Sequence, residues 1–286
     1  LAILRTNTVY LRTVFEFLDL TNDMYQGSLT TEKRSDREYD VEFRHVSFRY
    51  PGSGNWALKD VNLKFKVGER LAVVGPNGSG KTTMIKLLCR MYDPTEGEIL
   101  LNGINIRKYD YDQYLAIFSV VFQDFQLLSQ PLGENVAGAM EYDRKRARNA
   151  LETAGLAGRL ESLPQGLDTY LYRDFDTSGV EVSGGEAQKI AIARALYKDA
   201  PFIVLDEPTA ALDPIAEADV YAGFDTLIED RTAIYISHRL SSCKFCDRIA
   251  VFENGSIVQS GTHDGLLAEA GGTYERLWEA QAQDYT

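Results

Sequence analysis

Residues 75–82 read GPNGSGKT, directly after the apolar run 71–74 and directly before a helix-like stretch. The octet fits G-x-x-x-x-G-K-[ST], and the strand before it and helix after it are the context that the pattern needs. Glycines at Gly75, Gly78 and Gly80, with Pro76, Asn77 and Ser79 between them, let the backbone wrap a phosphate without Cβ clashes and turn successive N–H groups inward. The helix N-terminus adds a favourable dipole for an anion. Lys81 reaches the β- and γ-phosphates in such a loop, Thr82 offers a hydroxyl to Mg²⁺, and Thr83 is placed to donate to the α-phosphate. The loop binds a nucleoside triphosphate without choosing adenine or guanine. No NKxD sequence, the guanine-reading signal, occurs anywhere.

Two further segments bear on the same chemistry. Residues 202–207, FIVLDE, form a continuous apolar strand ending in two carboxylates, the look of a buried parallel strand. Ligands of parallel sheets sit beyond the carboxyl ends of the strands. Asp206 is therefore expected to hold Mg²⁺ and Glu207 to face the γ-phosphate and orient or deprotonate the attacking water. Residues 182–186, VSGGE, are a glycine turn opening onto the helical run AQKIAIARAL. Ser183, Gly184 and Gly185 thus make a second anion-attracting helix start in one chain.

The rest of the chain alternates in a way that fits an α/β architecture. Residues 41–50 and 58–67 read as strands around a PGSGN turn, 82–92 as a helix, and 98–106 and 248–259 as hairpins around Asn102-Gly103 and Asn254-Gly255. Residues 127–180 change character and read as a helical insertion, with helical spacing at 144–155. From Gly184 the order is helix to 197, strand 202–205, helix 215–228 and strand 233–236, then two short helices at the end. That alternation implies a parallel sheet covered by helices. Residues 21–40 are polar with mixed charge and read as a linker. Before them, Leu4, Leu11, Phe15 and Leu18 share a helical face, while Arg5, Asn7 and Arg12 forbid membrane burial; the segment reads as a helix cut from a longer polypeptide.

Composition narrows the classes. The 286 residues carry a formal charge of -12, which argues against a general nucleic-acid binder. Three cysteines are too few for a disulfide framework, and Cys243-Lys-Phe-Cys246 lacks the second ligand pair of a zinc site. No apolar stretch is long enough to span a bilayer. His45 and His263 match no chemical motif and read as structural.

Taken in order, GPNGSGKT, VFQDF around Gln123, VSGGE, FIVLDE, ALD at 211–213 and ISHRL around His238 resemble the nucleotide-binding domain of ATP-binding cassette (ABC) transporters, over roughly residues 40–280. The linker and helix ahead of it resemble the exporter group, in which a transmembrane permease precedes this domain in the same full-length chain. The resemblance implies an ABC ATPase fold: a P-loop NTPase core with a parallel sheet, an antiparallel β subdomain and a helical subdomain at about 127–198. Residues 1–39 would then be the end of a preceding transmembrane domain and 40–286 the nucleotide-binding domain. It also implies that Tyr50 stacks on adenine, that Gln123 contacts Mg²⁺ or the attacking water and senses the permease, and that His238 holds the γ-phosphate and positions Glu207. Ser183, Gly184 and Gly185 would cover the γ-phosphate bound by a second nucleotide-binding domain, in a homo- or heterodimer, with Asp213 bridging the two sites. The implied cofactors are ATP and Mg²⁺, the implied place is the cytoplasmic face of the cell membrane, and nucleic acid is not an implied partner.

Three departures from the family pattern matter. The signature has Val182 and Glu186 where Leu and Gln are usual, Ala210 replaces a Ser before Asp213, and Thr177 stands where exporters carry a Glu. None removes a phosphate ligand or the base. A weakly hydrolysing half of a heterodimeric transporter and a non-transport ATPase of the same superfamily are the competing functions; intact Glu207 and His238 oppose the first, and the absence of long coiled-coil inserts opposes the second.

Overall fold

The structure, a computed structural model, describes residues 2–19, 25–31, 37–208, 231–238 and 240–283. Two sheets organise it. The first is antiparallel, with order β2-β1-β4-β5, from β1 (Val41–Phe48), β2 (Leu58–Lys64), β4 (Glu96–Leu101) and β5 (Ile104–Asn105). The second has order β10-β9-β3-β8-β7-β6, from β3 (Arg70–Val74), β6 (Phe118–Val121), β7 (Phe202–Asp206), β8 (Thr232–Ile236), β9 (Arg248–Glu253) and β10 (Ser256–Gly261). Five of its strands are parallel, and only β10 runs back, from the hairpin with β9.

The parallel strands are buried on both faces, which is why 202–205 in β7 and 233–236 in β8 read as apolar runs. Along β7, Phe202 and Val204 join a core between the two sheets, with Phe43, Leu58, Met84 and Ile85. Ile203 and Leu205 join a second core on the other face, with Val136, Leu151 and Ile192. Each large side chain buried there contributes about 1.5–3 kcal/mol.

The helix after the phosphate loop, α2 (Lys81–Leu88), is shorter than the sequence suggests. Cys89 caps it and Arg90 turns left-handed at φ 51°, ending the helix before Asp93-Pro94. Two elements had no sequence signal: α3 (Tyr111–Ala116), capped by the Asp110 side chain, and the edge strand β6, whose four residues are too short for a readable pattern. The insertion forms α4 (Leu132–Ala137), α5 (Arg144–Thr153) and α6 (Ala157–Ser162), with α4 and α5 packed on α7 (Gly184–Lys198). Helices α8 (His263–Leu267) and α9 (Thr273–Gln283) end the described chain. The expected helix over 215–228, with Ala210 and Asp213, lies outside the described residues.

Before the first sheet stands α1 (Ala2–Leu18), with Leu11, Phe15 and Leu18 exposed. The linker is not free of the fold: Leu29 accepts from Asp110 N at 2.8 Å and donates to the Lys108 carbonyl at 2.9 Å. The Tyr25 carbonyl accepts from Arg90, which is fully buried. Among the described residues, no helix is long and apolar enough to cross a membrane.

Candidate nucleotide-binding site

The register of the parallel sheet brings the predicted residues together. Strands β3, β8, β7 and β6 lie side by side, so their carboxyl ends fall on one edge of the sheet. From those ends emerge, in spatial order, the phosphate loop, Ser237-His238, Asp206-Glu207 and Phe122-Gln123. A cavity of about 620 Å³ opens there. Its lining includes Tyr50, Asn77, Gly78, Gly80, Lys81, Thr82, Thr83, Gln123, Glu207 and His238, with Ala57 as an addition that no motif announced.

The loop is held from both sides. A Cβ at Gly75 would stand 2.1 Å from the Phe252 carbonyl, and one at Gly80 would stand 2.6 Å from Leu58 Cδ2; φ is 147° and 108° at these two positions. Only glycine fits both the space and the backbone there. Gly255, at the tip of the β9–β10 hairpin, donates its N–H to the Ser79 carbonyl at 3.0 Å, so a turn read from sequence as mere connection braces the loop. Gly80 caps α2 without any side-chain hydrogen bond. Lys81 is buried, and its ammonium donates to the Gly75 and Pro76 carbonyls at 2.8 and 3.0 Å. Burial lowers its pKa, with Glu207 and Asp206 acting in the opposite direction.

Asp206 is 1% exposed at the end of β7, and its carboxylate oxygens make no hydrogen bond of ordinary geometry, although the Thr82 hydroxyl stands close enough to act on them. Its pKa is pushed up to about 6, mainly by burial; the Thr82 hydroxyl lowers it, Glu207 raises it, Lys81 lowers it and Asp124 raises it. A buried carboxylate beside the Thr82 hydroxyl, with Gln123 lining the same cavity as Thr82, offers oxygen donors of the kind a hard divalent cation takes. These residues therefore fit Mg²⁺.

Glu207 carries the strained backbone of the site, with φ 51°. Its N–H donates to the Ile236 carbonyl at 2.9 Å, and its own carbonyl accepts from Gln188 Nε2 at 3.1 Å. Its carboxylate lies 3.3 Å from His238 Nδ1. His238 is half exposed and held from behind: its carbonyl accepts from Gln281 Nε2, while Gln281 Oε1 accepts from Leu240 N at 2.8 Å. Neither Gln188 nor Gln281 could be found from sequence, because a glutamine on a helix carries no signal for which backbone it will meet.

Tyr50 packs edge-on against Phe48 and Tyr92, and its hydroxyl shares a 3.0 Å hydrogen bond with Thr83 Oγ1. Thr83, expected to face a phosphate, shares its hydroxyl with Tyr50. Ser183, Gly184 and Gly185 start α7 and are not among the residues lining the cavity. There Ser183 Oγ accepts from Glu186 N at 3.2 Å and Glu186 Oε2 accepts from Ser183 N at 2.8 Å, a reciprocal capping box. Cys89, Cys243 and Cys246 are all reduced and buried, and no metal-holding cluster of His, Cys, Asp or Glu occurs among the described residues. His45 caps a surface contact with Asp60 at 2.8 Å, and His263 meets the Tyr274 hydroxyl at 2.8 Å.

A glycine loop between a parallel strand and a helix, with an acidic strand end beside it, defines a P-loop nucleoside triphosphatase. The ABC transporter family profile matches residues 58–210, more than half of the chain. The ATP-dependent lipid A-core flippase of Burkholderia orbicola (strain AU 1054) is 43% identical over 244 residues, covering 85% of this chain and 40% of that protein. The subtilin transport ATP-binding protein SpaT of Bacillus subtilis is 42% identical over 267 residues, covering 91% of this chain and 42% of that protein. A solved structure of a bacterial Atm1-family ABC exporter with ATP bound superposes with a TM-score of 0.83 at 32% identity, over 97% of this chain and 48% of the exporter. This chain belongs to the ABC transporter family, and within it is an ATP-binding and ATP-hydrolysing domain of the exporter type. It spans less than half the length of these relatives.

Proposed function

We propose that two copies of this domain close head-to-tail around two ATP molecules, and that this closure drives a transmembrane permease carried in the same longer polypeptide. The observation that carries the reading is the separation of two anion-binding turns. The phosphate loop, Glu207 and His238 share one cavity, whereas the Ser183–Gly185 turn lies outside it. A helix start with free N–H donors that does not line its own chain's nucleotide cavity suits a nucleotide held by a neighbour.

In this reading Lys81 and the loop N–H groups grip the β- and γ-phosphates, and Tyr50 presents its ring to adenine. Thr82, Gln123 and Asp206 would hold Mg²⁺, which would supply charge neutralisation for the phosphates. Glu207 takes a proton from the attacking water or orients it, and the 3.3 Å contact from His238 fixes the carboxylate for that task. Ser183, Gly184 and Gly185 cover the γ-phosphate across the dimer, and Asp213 bridges the sites. Once the γ-phosphate leaves, the shared ligand is gone and the interface weakens, which lets the permease switch between inward- and outward-facing states.

The relatives' greater length and the exposed apolar residues of α1 support a preceding membrane part, with this domain on the cytoplasmic face. A groove of about 540 Å³ between the helical insertion and the sheet, lined by Met91, Phe118, Phe122 and Arg194, lies directly beside Gln123 and suits a cytoplasmic loop of that permease. The test is the protein-concentration dependence of ATP hydrolysis. Specific activity should rise with concentration before levelling, and Glu207→Gln should lower kcat by about 10²–10⁴-fold while trapping an ATP-bound dimer. Specific activity that stays flat in a chain shown by light scattering to be monomeric would reject the shared site.

A further inference from the structure

The signature turn of this chain carries an acid where a neutral glutamine is the family pattern, and the structure shows what restrains it. One oxygen of Glu186 accepts from the Ser183 backbone N–H at 2.8 Å. The other lies 2.9 Å from Arg159 Nε, an ion pair by distance, in which both side chains are about two-thirds buried (36% and 28% exposed). Arg159 comes from α6 in the helical insertion and also donates from Nη2 to the Glu181 carbonyl at 3.2 Å, just ahead of the signature. The guanidinium is thus tied by one hydrogen bond, from Nη2, to the segment that leads into the turn, while its Nε makes no hydrogen bond and meets Glu186 as a charge contact alone.

In an isolated helix this arrangement is favourable, because a carboxylate in the first turn suits the positive end of the dipole. It becomes unfavourable once a triphosphate is to approach the same turn, since the two anions then compete for one positive helix start and repel each other. A glutamine there would keep the cap without the charge. With a glutamate, the chain needs a cation that neutralises the carboxylate and pins it against its own cap.

Resting on the shared-site reading above, we propose that Arg159 is a positioning residue for the partner's ATP: it holds and neutralises Glu186 so that the Ser183–Gly185 turn stays receptive to the γ-phosphate. Arg159 touches no nucleotide itself. The ligand concerned is the triphosphate of Mg·ATP, and the effect is on closure rather than on binding to the phosphate loop.

The experiment measures ATP-dependent dimerisation by light scattering in the Glu207→Gln background, at low and high salt. Arg159→Ala should raise the ATP concentration for half-maximal dimer about fivefold, less at high ionic strength, while ATP binding to the monomer is unchanged. Arg159→Lys should keep most of the parent's affinity. Adding Glu186→Gln to Arg159→Ala should restore it, because the charge needing neutralisation has gone. A merely structural strut between α6 and α7 predicts the reverse, with the double variant as poor as Arg159→Ala or worse, and that result overturns the proposal. Equal dimerisation of Arg159→Ala and parent overturns it too. If the Glu207→Gln parent forms no ATP dimer at all, it is the shared site that fails, and the two failures are told apart.

Discussion

Two glycine turns in this molecule open helices, yet they are built on opposite plans. The phosphate loop enters α2 through Gly80, with no side chain capping the helix, so its first N–H groups are left for a ligand. Its shape is imposed from outside by the Phe252 carbonyl, Leu58 and the Gly255 hairpin tip. The signature turn enters α7 through a complete capping box, and Ser183 and Glu186 satisfy each other's backbone donors. One turn has its shape set by its neighbours and carries no side-chain cap. In the other, the Ser183 and Glu186 N–H groups are already bonded to each other's side chains, and the Gly184 and Gly185 N–H groups are the donors it keeps for an anion. In the shared-site reading proposed above, affinity for a single nucleotide resides in the first turn and sensitivity to a partner in the second.

The strongest way to break that contrast is to disable each turn in turn. Lys81→Ala should weaken ATP binding to the monomer about a hundredfold or more, since it removes the buried cation facing the phosphates. Ser183→Ala should leave monomer binding within about twofold, lower kcat about tenfold by impairing closure, and cost about 1 kcal/mol of stability through the lost cap. Calorimetric ATP titration of both variants checks this. Equal losses of monomer affinity would erase the distinction.

A smaller effect concerns the buried acid beside the first turn. The folded-state pKa of Asp206 is raised to about 6 by burial, so its contribution to stability is fully present below the usual carboxylate pKa and is lost as pH rises through about 6. Asp206→Asn should therefore leave the melting temperature at pH 4 nearly unchanged. At pH 8 without nucleotide it should stabilise the chain by about 1–2 kcal/mol. Mg·ATP should reverse the order, protecting the parent more than the variant. Thermal melts across pH, with and without Mg·ATP, give the answer.

The smallest effect sharpens the role of His238. Gln281→Ala removes both hydrogen bonds that α9 makes to the backbone flanking His238. Steady-state kinetics should show kcat down about threefold with KM for ATP unchanged, the pattern expected when an interaction made only in the transition state is loosened.

Much of this site could be read from the residues alone, and the reason is local. GPNGSGKT and FIVLDE each encode a strand and the functional turn that ends it, so motif and geometry sit within a few positions. The juxtaposition of those ends followed from parallel pairing, which the strand–helix alternation implied. What could not be read depends on contacts distant in sequence. Gln188 meets Glu207 and Gln281 meets His238 only because helices from two other parts of the chain pack there. Strand β6 gains its identity from pairing with β7, not from its own four residues. Arg90 stopped α2 early because a left-handed backbone places its side chain inward, a tertiary demand invisible in a run of good helix formers.

That inward arginine ties the edges of the domain to something outside its catalytic motifs. Its guanidinium is completely enclosed, one of its nitrogens has no acceptor, and another rests on the carbonyl of Tyr25. A version of the protein trimmed to begin at residue 40 would keep every nucleotide ligand and still strip an enclosed cation of an oxygen it leans on. The Tyr25 carbonyl, in a stretch that reads as linker, thus supports the arginine that follows the helix carrying Lys81.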